Sequence, residues 1–253
     1  MLLRAWGITR SLAMYHGVPG RHRRMVRLYG RFLGPGDLGF DIGAHVGSRV
    51  RAWRSLGARV VAVEPQPDCL GVLRLFFGRD PGVTIVPEAA GAGEGTARLA
   101  LSTATPTVST LSRRWIDAVT TDDGFARVRW DREIEVRVTT LDALVAAHGA
   151  PAFCKIDVEG FEADVLAGLS RPVRGLSFEY VPAAHDAALE ALRRVERLGR
   201  LNGGGGYRYN YSPVETLRLA SERWLDAGEL VRGLQRIRPR GRSGDIYARL
   251  QDA

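Results

Sequence analysis

From residue 34 onward, short apolar runs alternate with segments in which apolar positions recur three and four apart. "DLGFDI", "RVVAVE" and "VTIVPE" read as strands, and "GSRVRAWRSLG" and "QPDCLGVLRLFFGR" between them as helices. The run "VVAV" lacks period-two alternation, as expected of a strand covered on both faces. The alternation resumes with "IEVRVT", the helix "TLDALVAAHG", the strand "AFCKID", the helix "FEADVLAGL", the strand "GLSFEY" and the helix "AAHDAALEALRRVERLG". Strands "GYRYNY" and "DIYARL" around a connecting helix complete it. This order predicts an open, doubly wound α/β sheet.

Four segments stand apart. Residues 1–33 show helical spacing (Leu2, Leu3, Trp6, then Met25, Val26, Tyr29, Phe32, Leu33), predicting one or two helices packed on a domain of residues 34–253. "GTARLALS" reads as a short hairpin, and "NGGGG" at 202–206 as a turn or linker. Residues 102–133 are polar and read as a long loop or lid. It carries Ser109, Thr110, Arg113, Arg114, Trp115 and Trp130, whose Trp and Arg side chains are candidates to grip a sugar or aromatic acceptor, a solvent-facing disordered loop being the alternative.

Composition narrows the class. With 253 residues, 45% hydrophobic and 25% charged, the chain suits a globular domain with a substantial core. No apolar run reaches 18 residues, and Arg4 and Arg10 interrupt the N-terminus, so neither a membrane span nor a signal peptide is expected and the location is read as cytoplasmic. Cys69 and Cys154, without CxxC spacing, read as reduced buried thiols rather than a zinc site. The net charge of +8 raises nucleic acid as a partner, but 35 of the 36 basic residues are arginine, a coding bias of GC-rich genomes. The basic residues are read as spread along the chain, with modest clusters at "GRHRRMVRLYGR" and "RGLQRIRPRGR".

Ligands of doubly wound sheets bind beyond the carboxyl ends of the strands, which directs attention to "DIGAHVG", "EPQP", "EAAG", "DVEG" and "EY". Gly43 permits a tight turn and close approach of a ligand, and Gly47 would let the helix start lie close to the strand. Asp41 suits a cationic group such as an ammonium. Neither G-x-G-x-x-G nor GxxxxGK[ST] is present, so no phosphate cradle is expected. Glu64, about 20 residues beyond the glycine turn, is placed to accept ribose hydroxyls. A glycine turn and a ribose acid without a phosphate loop describe S-adenosylmethionine.

"PGDLGFDIGAHVG", "VVAVEPQP", "AAGAGEG", "VTTLDAL" and "CKIDVEGFEADVLAG", in this order, resemble the FkbM-family S-adenosylmethionine-dependent methyltransferases over residues 34–181. The resemblance implies a class I methyltransferase (Rossmann-like) fold, with a mostly parallel seven-stranded sheet and an antiparallel last strand. It also implies O-methylation of natural-product or sugar hydroxyls. Carried over by position, Asp41 and Gly43 would contact the methionine part of the cofactor, Glu64 the ribose, and Ala89 would lie near the adenine. His45 departs from the family's usual asparagine.

"FCKIDVEGFE" holds the only lysine, Lys155, beside Asp157, Glu159 and Glu162. Period two places Phe153, Lys155 and Asp157 on one side of the strand. Methyl transfer from a sulfonium is an in-line displacement that needs alignment, and an alcohol acceptor must also lose its proton to a base. Asp157 is the first candidate for base or orienting acid and Glu159 the second, with His45 and His185 as alternatives. Lys155 is read as the cation that keeps Asp157 ionised, and Glu162 as favouring a helix N-terminus. Mg²⁺ is conceivable at clustered carboxylates but not expected, and no metal ligand is assigned. The leading reading is an O-methyltransferase of a small molecule or glycan. RNA as the acceptor, or a cofactor-binding module without transfer chemistry, are the competing readings.

Overall fold

A computed structural model describes residues 2–201, 205–213, 216–237 and 243–251. The turn expected at 202–206 and the second arginine cluster lie partly outside the described residues. Two helices, α1 (Leu2–His16) and α2 (Arg21–Tyr29), precede β1 (Leu38–Ile42), α3 (Ser48–Ser55), β2 (Arg59–Val63), α4 (Pro67–Phe77) and β3 (Val83–Val86). A lateral unit follows, made of β4 (Ala89–Ala90), β5 (Gly95–Leu101), α5 (Arg113–Val119) and β6 (Arg132–Thr139). The chain then continues through α6 (Leu141–His148), β7 (Phe153–Ile156), α7 (Glu162–Ala167), β8 (Gly175–Tyr180) and α8 (His185–Arg200). It ends with β9 (Tyr207–Pro213), α9 (Ala227–Ile237) and β10 (Gly244–Leu250).

The main sheet has seven strands in the order β3-β2-β1-β7-β8-β10-β9. β10 alone runs antiparallel to its neighbours. The order reverses between β1 and β7, which pair in parallel with Asp41 beside Lys155. β1 is buried at every position, as its doubly covered place requires. On one face Met25, Leu28 and Tyr29 of α2 and Trp53 of α3 pack with Phe153 and Tyr247. On the other, Phe40, Ile42, Cys154 and Ile156 meet Leu144, Val165, Leu192 and Leu230. α2 therefore shares the domain's core rather than standing beside it.

The lateral unit differs from the sequence expectation. "IEVRVT" lies outside the main sheet, and the partner of "GTARLALS" is not a hairpin neighbour. β5 pairs antiparallel with β6, and β4 pairs parallel with β6, in a three-stranded sheet of order β4-β6-β5. Both long strands leave their outer halves exposed, so only part of each had to be apolar.

Residues 102–133 are not an open loop. They hold a 3-10 turn at Pro106–Val108, α5, and a second 3-10 turn at Asp123–Phe125. Trp115 is buried and meets Phe125 and Trp130 edge-to-face, with ring centroids 5.5 and 6.0 Å away. Trp130 Nε1 donates to the Val108 carbonyl at 2.9 Å. Two of the aromatic groups expected to grip an acceptor are thus anchors of this wall. Trp115→Ala is expected to lower unfolding free energy in urea by about 3–5 kcal/mol, the usual cost of emptying an aromatic core site.

Candidate active site

The carboxyl edge of the sheet gathers charge by register. Asp41, Lys155, Ser177 and Tyr247 lie in one cross-strand row, so their side chains leave the same face. Two residues further along β8, Glu179 stands opposite Asp245, the second residue of β10. Asp157 follows β7, and its N–H donates to the Ile42 carbonyl at 3.0 Å.

Two cations tie this edge together. Arg49, in the first turn of α3, donates from Nε to Asp41 Oδ1 at 2.9 Å and from Nη2 to Asp157 Oδ2 at 2.7 Å. Lys155 is fully buried, and its Nζ donates to Asp245 Oδ1 at 2.7 Å, with Asp157 Oδ2 at 3.7 Å. The principal partner of Lys155 is therefore Asp245, with Asp157 second. Ser177, the small residue between Lys155 and Tyr247, leaves the stem room to cross. Burial opposes the charged forms, but Asp41 and Asp157 outweigh it at Arg49, raising its pKa, and Asp157 and Asp245 do so at Lys155. Burial likewise opposes ionisation of Asp157, and Lys155 with Arg49 overcome it, holding the carboxylate below its ordinary range.

Asp41 does not line the adjacent cavity. It is fully buried, and its Oδ1 is taken by Arg49. Arg49, which the sequence reading missed, occupies the place there assigned to a ligand's cationic group. Gly43 (φ 80°) does line the cavity, but a Cβ on it would come within 2.0 Å of the Asp157 carbonyl oxygen, so close chain packing also requires glycine. At Gly47 a Cβ would meet Phe77 and Leu73, so the close approach is to α4 and not to the strand.

The cavity holds about 790 Å³, its open mouth included, and is walled by Gly43, His45, Glu64, Ala89, Asp157 and Glu159 among others. Glu64 is buried, and its two oxygens accept from the backbone N–H of His45 and Gln66, each at 2.8 Å. Burial pushes its pKa up to about 7 against those two bonds. His45 adopts φ 50° and packs edge-to-face on Tyr15 at 5.4 Å. Burial and then Arg49 push the imidazole down to about 4, so it is neutral at pH 7. Residues 107–111 close one side of the cavity, fastened by Ser109 to Gln66 and by Thr110 to the Glu159 carbonyl.

Beyond Asp157 lies a second cavity of about 490 Å³, lined by Arg21, Tyr29, Arg49, Asp157, Glu179 and Asp245 among others. Glu159 lines the first cavity and Glu179 the second. One oxygen from each of Asp157, Glu159 and Glu179 lies within 4.8 Å of the others. The Glu159 and Glu179 carboxyl groups are close enough to oppose each other's ionisation. Burial, with Asp157 and Glu162, raises Glu159 well above the carboxylate range, and burial with Glu159 and Asp157 does the same for Glu179. Arg49 and Lys155 both stand beside Asp157, so a metal cation at these three carboxylates would compete with two resident cations. Glu162 does more than face a helix dipole. Its Oε1 accepts from Val158 and Gly160 N–H at 3.2 Å each, and burial pushes it up to about 7. His185 is set apart, packed on Tyr180 at 5.8 Å and facing a third cavity beside Trp115.

The profile of the methyltransferase FkbM domain matches residues 41–193, which hold Arg49, Glu64, Lys155 and the whole glutamate pair. The chain belongs to the FkbM methyltransferase family. It is accordingly an S-adenosylmethionine-dependent methyltransferase, and the expected class I fold is the one observed. No curated protein matches it. Among solved structures it is similar to a precorrin-6Y C5,15-methyltransferase from Geobacter metallireducens, with 14% identity over 89% of this chain and 87% of that one and a TM-score of 0.44. It is also similar to a precorrin-8W decarboxylase of Methanobacterium thermoautotrophicum, with 12% identity, 91% and 89% coverage and a TM-score of 0.45.

The methyltransferase keeps its lone lysine where a fully buried stem leaves no room for a planar fork. Lys155→Arg is expected to cost about 1–3 kcal/mol through overpacking. Lys155→Ala is expected to cost about 3–5 kcal/mol, because the paired carboxylates lose their cation. Urea unfolding measures both, and an unaltered Lys155→Arg protein would remove the steric explanation.

Proposed function

We propose that the methyltransferase transfers the methyl group to a hydroxyl of a small molecule or glycan, which enters the second cavity and meets the cofactor cavity at Asp157. The carrying observation is that Asp157 and Arg49 wall both cavities, with the Glu159 and Glu179 carboxyl groups alongside. Glu64 would hold the ribose through oxygen lone pairs left free by the two backbone bonds, with Ala89 near the adenine and Gly43 and His45 lining the turn. When bound, the cofactor supplies an electrophilic methyl group on a sulfonium.

Asp157 suits orientation better than proton abstraction, since Arg49 and Lys155 hold it ionised and make it a weak base. Burial and neighbouring acids raise the proton affinity of Glu159 and Glu179, and the member of the pair left ionised can accept a proton. Glu159 or Glu179 therefore takes the hydroxyl proton while an oxygen lone pair forms the new bond to carbon and the carbon–sulfur pair leaves with sulfur. Lys155 acts through Asp157 and Asp245 and positions the acceptor.

The direct test incubates the protein with methyl-labelled S-adenosylmethionine and either a panel of glycosides and hydroxylated small molecules or structured RNA. Label is expected in the first set, and label only in RNA would overturn the proposal. A carboxylate that accepts from hydroxyls binds best when ionised, so cofactor affinity is expected to rise with pH through about 7, where Glu64 titrates, and then level off. Glu64→Gln should bind about tenfold or more weakly at high pH and lose this dependence. Calorimetry over the pH range reads both.

A further inference from the structure

The exposed large apolar side chains of the described residues are not scattered. Trp6 (56% exposed), Met14, Val18, Leu75 (79%) and Phe76 lie on α1, the turn after it and the last turn of α4; Leu201, after α8, is the exception. Trp6, Arg10 and Met14 are four residues apart and share one face of α1. The adjoining face packs inward through Gly7 and Ser11, with Gly7 against Thr103 and Pro106. His16 and Phe76 have ring centroids 6.0 Å apart, which brings the tip of α4 beside α1. The exposed apolar groups therefore lie on adjoining elements.

Charge is concentrated on α1 and, above all, on α2 next to it in the chain. Residues 1–36 hold seven arginines and no acid, while the rest of the chain holds 29 basic residues against 28 acidic, a balance of +1. Counted with the acids, the net charge of +8 is thus not spread along the chain, because +7 belongs to the α1–α2 region. Arg10, Arg23, Arg27, Arg31 and, on α4, Arg74 are exposed. The Arg10 guanidinium stands 5.7 Å from the centroid of the Trp6 ring.

A nucleic-acid surface uses the arginines and a stacking ring but gains nothing from Met14, Val18 and Leu75 in water. The headgroup region of an anionic bilayer accepts both: aliphatic and indole groups enter the acyl boundary, and guanidinium groups reach the phosphates. We propose that the α1–α4 face docks the methyltransferase on the surface of a lipid bilayer carrying anionic headgroups. The docking region adjoins the site: Tyr15 of α1 lines the first cavity, and α2, which follows α1, lines the second through Arg21, Met25 and Tyr29. Docking thereby holds both cavities next to the membrane. The inference uses surface residues only and does not depend on the acceptor.

Flotation of the full chain with phosphatidylcholine vesicles, with and without phosphatidylglycerol, tests it. Wild type is expected to float with the anionic vesicles and not with the neutral ones. The double variant Trp6→Ser, Phe76→Ser should lose at least about tenfold in vesicle affinity. Leu201→Ser, at an equally exposed residue off the patch, should not change it, and all three proteins should keep their melting temperature and cofactor affinity. Absence of wild-type flotation, or equal flotation of the double variant, would overturn the proposal. Binding of duplex RNA that displaces the vesicles and is equal in both proteins would instead assign the face to nucleic acid.

Discussion

Five charged groups, linked in the order Asp41, Arg49, Asp157, Lys155, Asp245, set the geometry of everything around them. They come from β1, α3, the turn after β7, β7 itself and β10. Buried charges are tolerated only when paired, and losing one partner strands the next. The link to Asp245 depends on the sheet's one reversal of direction. Because β10 runs antiparallel, its first residues lie at the edge where the parallel strands end, and an acid near its start meets a lysine near the end of β7. A parallel last strand would have carried that acid to the far edge of the sheet. The reversed strand thus supplies part of the active-site electrostatics.

The same chain of charges separates the carboxylates by task. Two cations reach Asp157, whereas Glu159 and Glu179 stand among other acids, so proton affinity is lowered at the first and raised at the other two. Divergent proton affinities within a few ångströms are what a site needs to orient a hydroxyl with one group and relieve it of its proton with another. The neutral imidazole of His45 adds no further charge to this arrangement.

Much of the fold was legible because helix and strand periodicities are local, and strands buried on both faces leave continuous apolar runs. The site was legible in part. Glu64, Asp157 and Glu159 follow strands, and the rule of ligands beyond strand ends finds them; "EY" pointed to Glu179 without singling it out. Lys155 drew attention as the sole lysine, but its closest partner is 90 residues away on an antiparallel strand that no local pattern pairs with it. Arg49 had no signal, being one of 35 arginines. Polarity misled at 102–133, where three separated aromatic side chains suffice to build a packed wall.

That wall bears on the cofactor cavity through backbone geometry. Among the described residues only His45, Glu159 and Leu217 combine a side chain with positive φ, and two of the three line the cavity. Such conformations persist when neighbours over-determine them. His45 is held by its N–H on Glu64, and Glu159 by its carbonyl on the Thr110 hydroxyl at 2.7 Å while the next N–H is held by Glu162. Ser109 and Pro106 in turn bind Gln66, the residue whose N–H holds the other Glu64 oxygen. One short segment therefore fastens both strained turns, and with them Glu64 and Glu159, the groups proposed for the ribose and for the proton. On that proposal a displacement of residues 106–110 would disturb both tasks together, although the segment itself supplies neither group.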